Sequence, residues 1–164
     1  MRRSGGGGVG DGGVGAASYA ARMDDDDLLA RARPGLTLGA LDVKMGVRVL
    51  EASPERVVAT MPVATNTQSF GLLHGGAMAC LAEAVGSWAA VIHAGPGRTV
   101  VGVDVSATHH RSARDGLVTA TASPLHRGST VATYEVVITD EQDRRLCTAR
   151  MTSLILAPRP AAAP

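Results

Sequence analysis

One segment constrains this chain more than any other. Between Gly75 and about His93, Met78, Leu81, Ala82, Val85, Ala89 and Ile92 recur at helical spacing and form a single apolar stripe. At 1.5 Å per residue the segment predicts a helix of about 28 Å. Gly95-Pro96-Gly97 stops it. Before it, Val47 and Val49, and then Val57 to Val63, read as two strands separated by the turn signal Ser53-Pro54-Glu55. After it come four more, Thr99 to Ala107, Leu117 to Ala122, Val131 to Ile138 and Leu146 to Leu156. A lone long helix with strands on both sides predicts an α+β fold: a curved antiparallel sheet of about six strands wrapped around one central helix.

The flanks differ in kind. Residues 1–23 are glycine-rich, with an unbroken run from Gly5 to Gly8, and are expected to be disordered because they cannot bury enough apolar surface. Met1-Arg2-Arg3-Ser4 leads into these glycines, not into an apolar region, so no secretory signal is expected. The folded domain is expected over 24–157. Asp24 to Asp27 favour a short helix start there, and Leu36 to Val43 could form another. The Pro/Ala-rich tail, 158–164, is expected to fray.

Composition narrows the function classes. A formal net charge of +1 and only 2% aromatic residues argue against nucleic acid or a membrane as the main partner. No apolar run approaches the roughly 18 residues needed to cross a bilayer. Cys80 and Cys147 are too few and too dispersed for a disulfide framework or a zinc site, and read as buried thiols in a reducing cytoplasm. The five histidines show no metal-ligand spacing, so neither a metal nor a separate cofactor is expected.

Gly75 and Gly76 open the long helix, so unpaired N–H groups at its positive end can hold a developing oxyanion; two glycines can equally serve only a tight turn. Glu83 lies near the helix middle with Ser87 at i+4 and Cys80 at i−3, beside the small residues Ala79, Ala84 and Gly86. That setting points to a carboxylate facing a packed surface, against the alternative of an ordinary solvated glutamate. Gln68 offers an amide donor or is a polar loop residue. His74 polarises a carbonyl, assists a leaving thiolate or caps the loop. Ser87 orients water, bonds Glu83 or back-bonds to its own helix.

The run Asn66-Thr67-Gln68-Ser69-Phe70-Gly71-Leu72-Leu73-His74-Gly75-Gly76-Ala77, followed by Leu81 to Ser87 with Glu83, resembles the signature of the hotdog-fold thioesterases. Within them it is similar to the PaaI-like branch of 4-hydroxybenzoyl-CoA and 1,4-dihydroxy-2-naphthoyl-CoA thioesterases. Val100 to Asp104, Thr108 to Arg114 and Pro124 to Ser129 carry the same likeness, which spans about residues 46–156. The glycine-rich head and the aspartate run stand outside it.

The resemblance implies an acyl-CoA thioesterase that releases free acid and coenzyme A, with Glu83, Gln68, His74, Gly75 and Ser87 as its catalytic set. Gly102, His109, His110, Arg111, Ser112, His126, Arg127, Gly128, Ser129 and Thr130 are the implied coenzyme A and substrate contacts. Arginines and exposed N–H groups at two strand ends suit its phosphates. Other uses of the fold, a β-hydroxyacyl-thioester dehydratase or a non-catalytic acyl-CoA-binding module, remain open at this point. So do the acyl group, for which Phe70, Met78 and Trp88 are candidate neighbours, and the role of Glu83 as base or nucleophile.

Spacing adds an expectation about assembly. Gly75 and Glu83 are eight residues apart, about 12 Å along one helix. One thioester carbon needs both within a few ångströms, so two antiparallel copies of the helix, in a homodimer or a homotetramer, would have to share each site.

Overall fold

The computed structural model describes residues 25–157; the expectations for the head and the tail lie outside them. Residues 25–32 are helical (α1) and α2 covers Ala40–Met45. Then follow β1 (Arg48–Ala52), β2 (Val57–Pro62), α3 (Gly75–Ala94), β3 (Thr99–His109), β4 (Leu117–Arg127), β5 (Val131–Thr139) and β6 (Arg145–Leu156). The strands make one sheet in the order β1-β2-β4-β5-β6-β3, every neighbouring pair antiparallel. This is the helix-in-sheet architecture the pattern predicts.

Alternation builds the core. Along β5, Ala132, Tyr134, Val136 and Ile138 are fully buried, and the residues between them are half-exposed. The inner faces of β2, β4 and β6 add Ala59, Ala120, Ala122 and Ala149, whose small side chains let α3 lie close to the sheet. All six residues of the predicted helical stripe are buried against it. Fully burying a Val or Leu side chain contributes roughly 1.5–3 kcal/mol, so this stripe is what fixes α3 in place.

Three expectations need correction. β4 does not stop at Ala122 but continues through Pro124 to Arg127. Its neighbour β2 ends opposite Ala122, so beyond that point one edge of β4 is open, and a proline lacking an N–H costs nothing there. A bulge at Leu125 absorbs the irregularity. Second, α3 is itself apolar and long enough to cross a membrane by composition, because its many Ala and Gly residues raise its hydropathy between the larger residues. More than half of it is buried inside the fold. Third, Cys80 is only half-buried, although both cysteines are free and Cys147 is buried as expected.

The aspartate run also has a structural use. Asp25, 1% exposed, accepts hydrogen bonds from Arg48 Nε and, at 3.0 Å, from the Val49 N–H, tying α1 to β1.

Candidate active site

The helix start is built by its own loop. His74 is the N-cap, and its Nδ1 accepts the Gly76 N–H at 2.8 Å. The Ala77 and Met78 N–H groups both reach the His74 carbonyl. Only the Gly75 N–H lacks an acceptor among the described residues, so one donor, not two, is left for an oxyanion. The Gln68 N–H donates to the Leu72 carbonyl, and the Gln68 side-chain oxygen accepts the Phe70 N–H. The side-chain NH₂ of Gln68 is left as its donor end.

These groups border one cleft of about 370 Å³, lined by Gln68, Leu72, Leu73, Gly75, Met78 and His109 to Ser112. Six of the sequence-predicted residues therefore meet in one place: Gln68, Gly75, His109, His110, Arg111 and Ser112. The reason for a glycine at position 75 is visible here. A Cβ on Gly75 would stand 2.9 Å from His109 Nε2, so the glycine makes room for this ring.

Glu83 lies elsewhere. Its carboxyl faces a smaller recess of about 210 Å³ with Gly102, Val103, Asp104, Val105 and Met151, and a Cβ on Gly102 would be 3.7 Å from Glu83 Oε1. Gly102, grouped by resemblance with the coenzyme contacts, thus sits beside the carboxylate. In the single chain Glu83 is exposed, so the packed surface expected opposite it is not supplied by this chain. Ala84 turns into the core instead of lining its side, and Gly86 is taken up by Met151. Even so, partial burial raises the pKa of Glu83 above the ordinary carboxylate value, with the charge of Asp42 on α2 adding to the effect. No hydrogen bond joins Ser87, half-buried, to Glu83 among the described residues.

The third group, His126 to Thr130, lies at the β4–β5 turn, at the far end of the sheet. β6 pairs Cys147 with His109 at one end, and Leu154 with Val131 at the other. Seven residues of strand separate these points, about 24 Å. The two basic clusters do not converge within one chain. Arg127 is already paired with Glu55, and the Gly128 N–H turns inward to the Val131 carbonyl at 2.9 Å. The turn therefore offers fewer free donors than its sequence suggests. Glu55 and Asp42 are the partners that sequence reasoning missed: Glu55 reads only as part of a turn, and Asp42 lies in no motif.

β3 is an edge strand, paired within the chain only to β6. Val101, Val103 and Val105 on it are 40–53% exposed, an apolar edge next to Glu83.

Comparison with known proteins gives the same picture throughout. The family described as the Thioesterase superfamily matches residues 70–147. A proofreading thioesterase EntH of Cronobacter turicensis is 43% identical over 121 residues, 73% of this chain and 88% of that protein. A crystal structure of a thioesterase from Haemophilus influenzae superposes with a TM-score of 0.71 at 32% identity, covering 76% of this chain and 88% of that one. A thioesterase from Staphylococcus aureus, solved as a glutamine-to-alanine mutant, gives a TM-score of 0.69 at 29% identity, covering 71% and 98%. The chain belongs to the hotdog-fold thioesterase superfamily and is a thioester hydrolase.

Proposed function

We propose that the substrate is an acyl-CoA thioester and that two chains share each site. Glu83 of one chain acts in its ionised form, taking a proton from water or attacking the carbonyl carbon itself. The Gly75 N–H and the Gln68 amide of the other chain hold the oxyanion. One observation carries this reading: the Glu83 recess and the Gln68–Gly75 cleft have no lining residue in common. Two chains joined along the exposed β3 edge, about a two-fold axis, would bring the recess of one to the cleft of the other. They would also bring Arg111 of one chain toward the His126–Thr130 turn of the other, giving the coenzyme phosphates a basic cluster from both.

The mutant chosen for the S. aureus structure adds support. That protein was also solved as a glutamate-to-alanine mutant, and the two mutated positions have the same spacing in sequence as Gln68 and Glu83 have here. The free cysteines suit a reducing cytoplasm as the working compartment.

The test is thiol release from a panel of acyl-CoA esters by wild-type protein and by Glu83→Ala. Wild-type turnover that drops by orders of magnitude in a folded Glu83→Ala variant supports the reading. Near-normal turnover by the variant, or no release from any acyl-CoA by the wild type, refutes it.

A further inference from the structure

We propose that His109 is a catalytic donor and not a coenzyme-phosphate contact: its imidazole N–H joins the Gly75 N–H in holding the thioester oxygen as it gains charge. The inference rests on the reading that the carbonyl binds at the Gly75 end of α3.

Strand alternation aims this side chain. Val100 and Ala107 on β3 pack against the core, and His109, two residues beyond Ala107, falls on the same side of the strand. Its register partner on β6, Cys147, is fully buried. The ring, although exposed to solvent, consequently turns toward the helix start and lines the cleft beside Gly75.

The ring is also presented by the right corner. From the position a Gly75 Cβ would take, Nε2 is 2.9 Å away, Cδ2 3.2 Å and Cε1 3.5 Å, so Nε2 is the atom nearest the helix start. A residue's N and Cβ are about 2.5 Å apart, which puts Nε2 within roughly 5.5 Å of the Gly75 nitrogen. One oxygen accepting hydrogen bonds of about 2.9 Å can meet both donors.

The neighbouring histidines are engaged differently. His74 Nδ1 accepts the Gly76 N–H, and His110 Nε2 meets the Thr148 hydroxyl at 2.9 Å. No hydrogen bond occupies the His109 ring among the described residues. With its proton on Nε2, a neutral imidazole donates into the cleft, beside the NH₂ of Gln68. As the nucleophile adds, the carbonyl π pair moves onto oxygen. It returns when the C–S bond breaks and the thiolate leaves. His109 keeps its proton throughout.

Two substrates separate this role from coenzyme binding: an acyl-CoA, and the same acyl group on N-acetylcysteamine, which has no phosphates. His109→Ala should lower kcat about 10²-fold on both, the usual loss for one oxyanion donor, and leave the KM for acyl-CoA nearly unchanged. His109→Gln, which keeps an N–H donor, should retain more activity than His109→Ala, and it is read on the same substrates should the alanine variant not fold. A raised KM confined to acyl-CoA, or unchanged kcat on both substrates, overturns the inference. Glu83→Ala run alongside keeps the two readings apart. If Glu83→Ala is inactive while the folded His109 variants are normal, only the present inference fails.

Discussion

Met151 sets how closely α3 can approach the sheet: its Cβ stands 2.6 Å from where a Cβ on Gly86 would be. That atom is fixed to the β6 backbone and cannot swing aside. Gly86→Ala gains about 1 kcal/mol of helix propensity and meets an overpacking cost of about 1–3 kcal/mol. The net expectation is a loss of up to about 2 kcal/mol, together with lower kcat, because Glu83 is one turn away on the same helix. A thermal melt decides it, and a Tm equal to or above wild type contradicts the argument.

The pH profile should reflect the neighbours of Glu83. Partial burial first, and then the Asp42 charge, raise its pKa above the ordinary 4.5. Both chemical routes need the ionised form, so kcat/KM should fall with acidification through a pKa above that value. Asp42→Asn removes the second cause and should move this limb to lower pH; Asp104, the other carboxylate in the recess, stays as the control. An unmoved limb excludes Asp42 as a neighbour that matters.

The same shift has a sign for stability. Folding favours the protonated Glu83, so its contribution is full below the ordinary carboxylate range and is lost as pH rises through the raised value. Glu83→Gln should therefore melt slightly higher than wild type at neutral pH, by less than about 1 kcal/mol given its exposure, while losing activity. A variant that melts lower at pH 7 would count against this account.

Tyr134 should govern the alkaline limit. Its side chain is fully buried, and its hydroxyl lies 2.9 Å from the Pro54 carbonyl and 3.2 Å from that of Ala89 on α3. Burial pushes its pKa up to about 12, from 10.0. The neutral phenol's contribution is intact below about pH 10 and is lost as pH rises toward 12, roughly 3 kcal/mol in all. Stability followed against pH should decline across that interval in wild type. Tyr134→Phe should flatten that decline, and a parallel decline in both proteins would rule this out.

Shared sites predict rescue between inactive partners. Suppose Glu83→Ala and Gln68→Ala are each nearly inactive and are refolded together in equal amounts. About half the dimers would be mixed, each with one site carrying both lesions and one carrying neither, which gives roughly a quarter of wild-type activity. Mixed dimers confirmed by mass but no more active than their parents would place each site within a single chain.

How much was legible from sequence differs by kind of information. The α3 stripe and the β5 alternation are periodic, and period specifies both element and buried face, so they could be read directly. Gln68, Gly75 and the His109 to Ser112 run could be named from motifs, and they do share a cleft. What could not be read were pairings between distant segments that have no periodic signal. Asp25 binding Arg48, Arg127 held by Glu55, and Asp42 acting on Glu83 each join elements that only the fold brings together. The true end of β4 was hidden for a related reason: past Ala122 only β5 holds the strand, a pairing its own residues do not signal.

The position of β3 also bears on how the chain is made. In the sheet it has one neighbour, β6, and the two are distant in sequence: Thr99 pairs with Leu156 and His109 with Cys147. On a ribosome adding about 5–20 residues per second, β3 would emerge seconds before the strand that pairs with it. For that interval its valines would be open to other nascent chains along both edges. The bulge at Val103 and the charge of Asp104 interrupt the strand near its middle, where they would hinder mispairing. A feature placed beside Glu83 would then also act before any site exists, protecting the half-made chain.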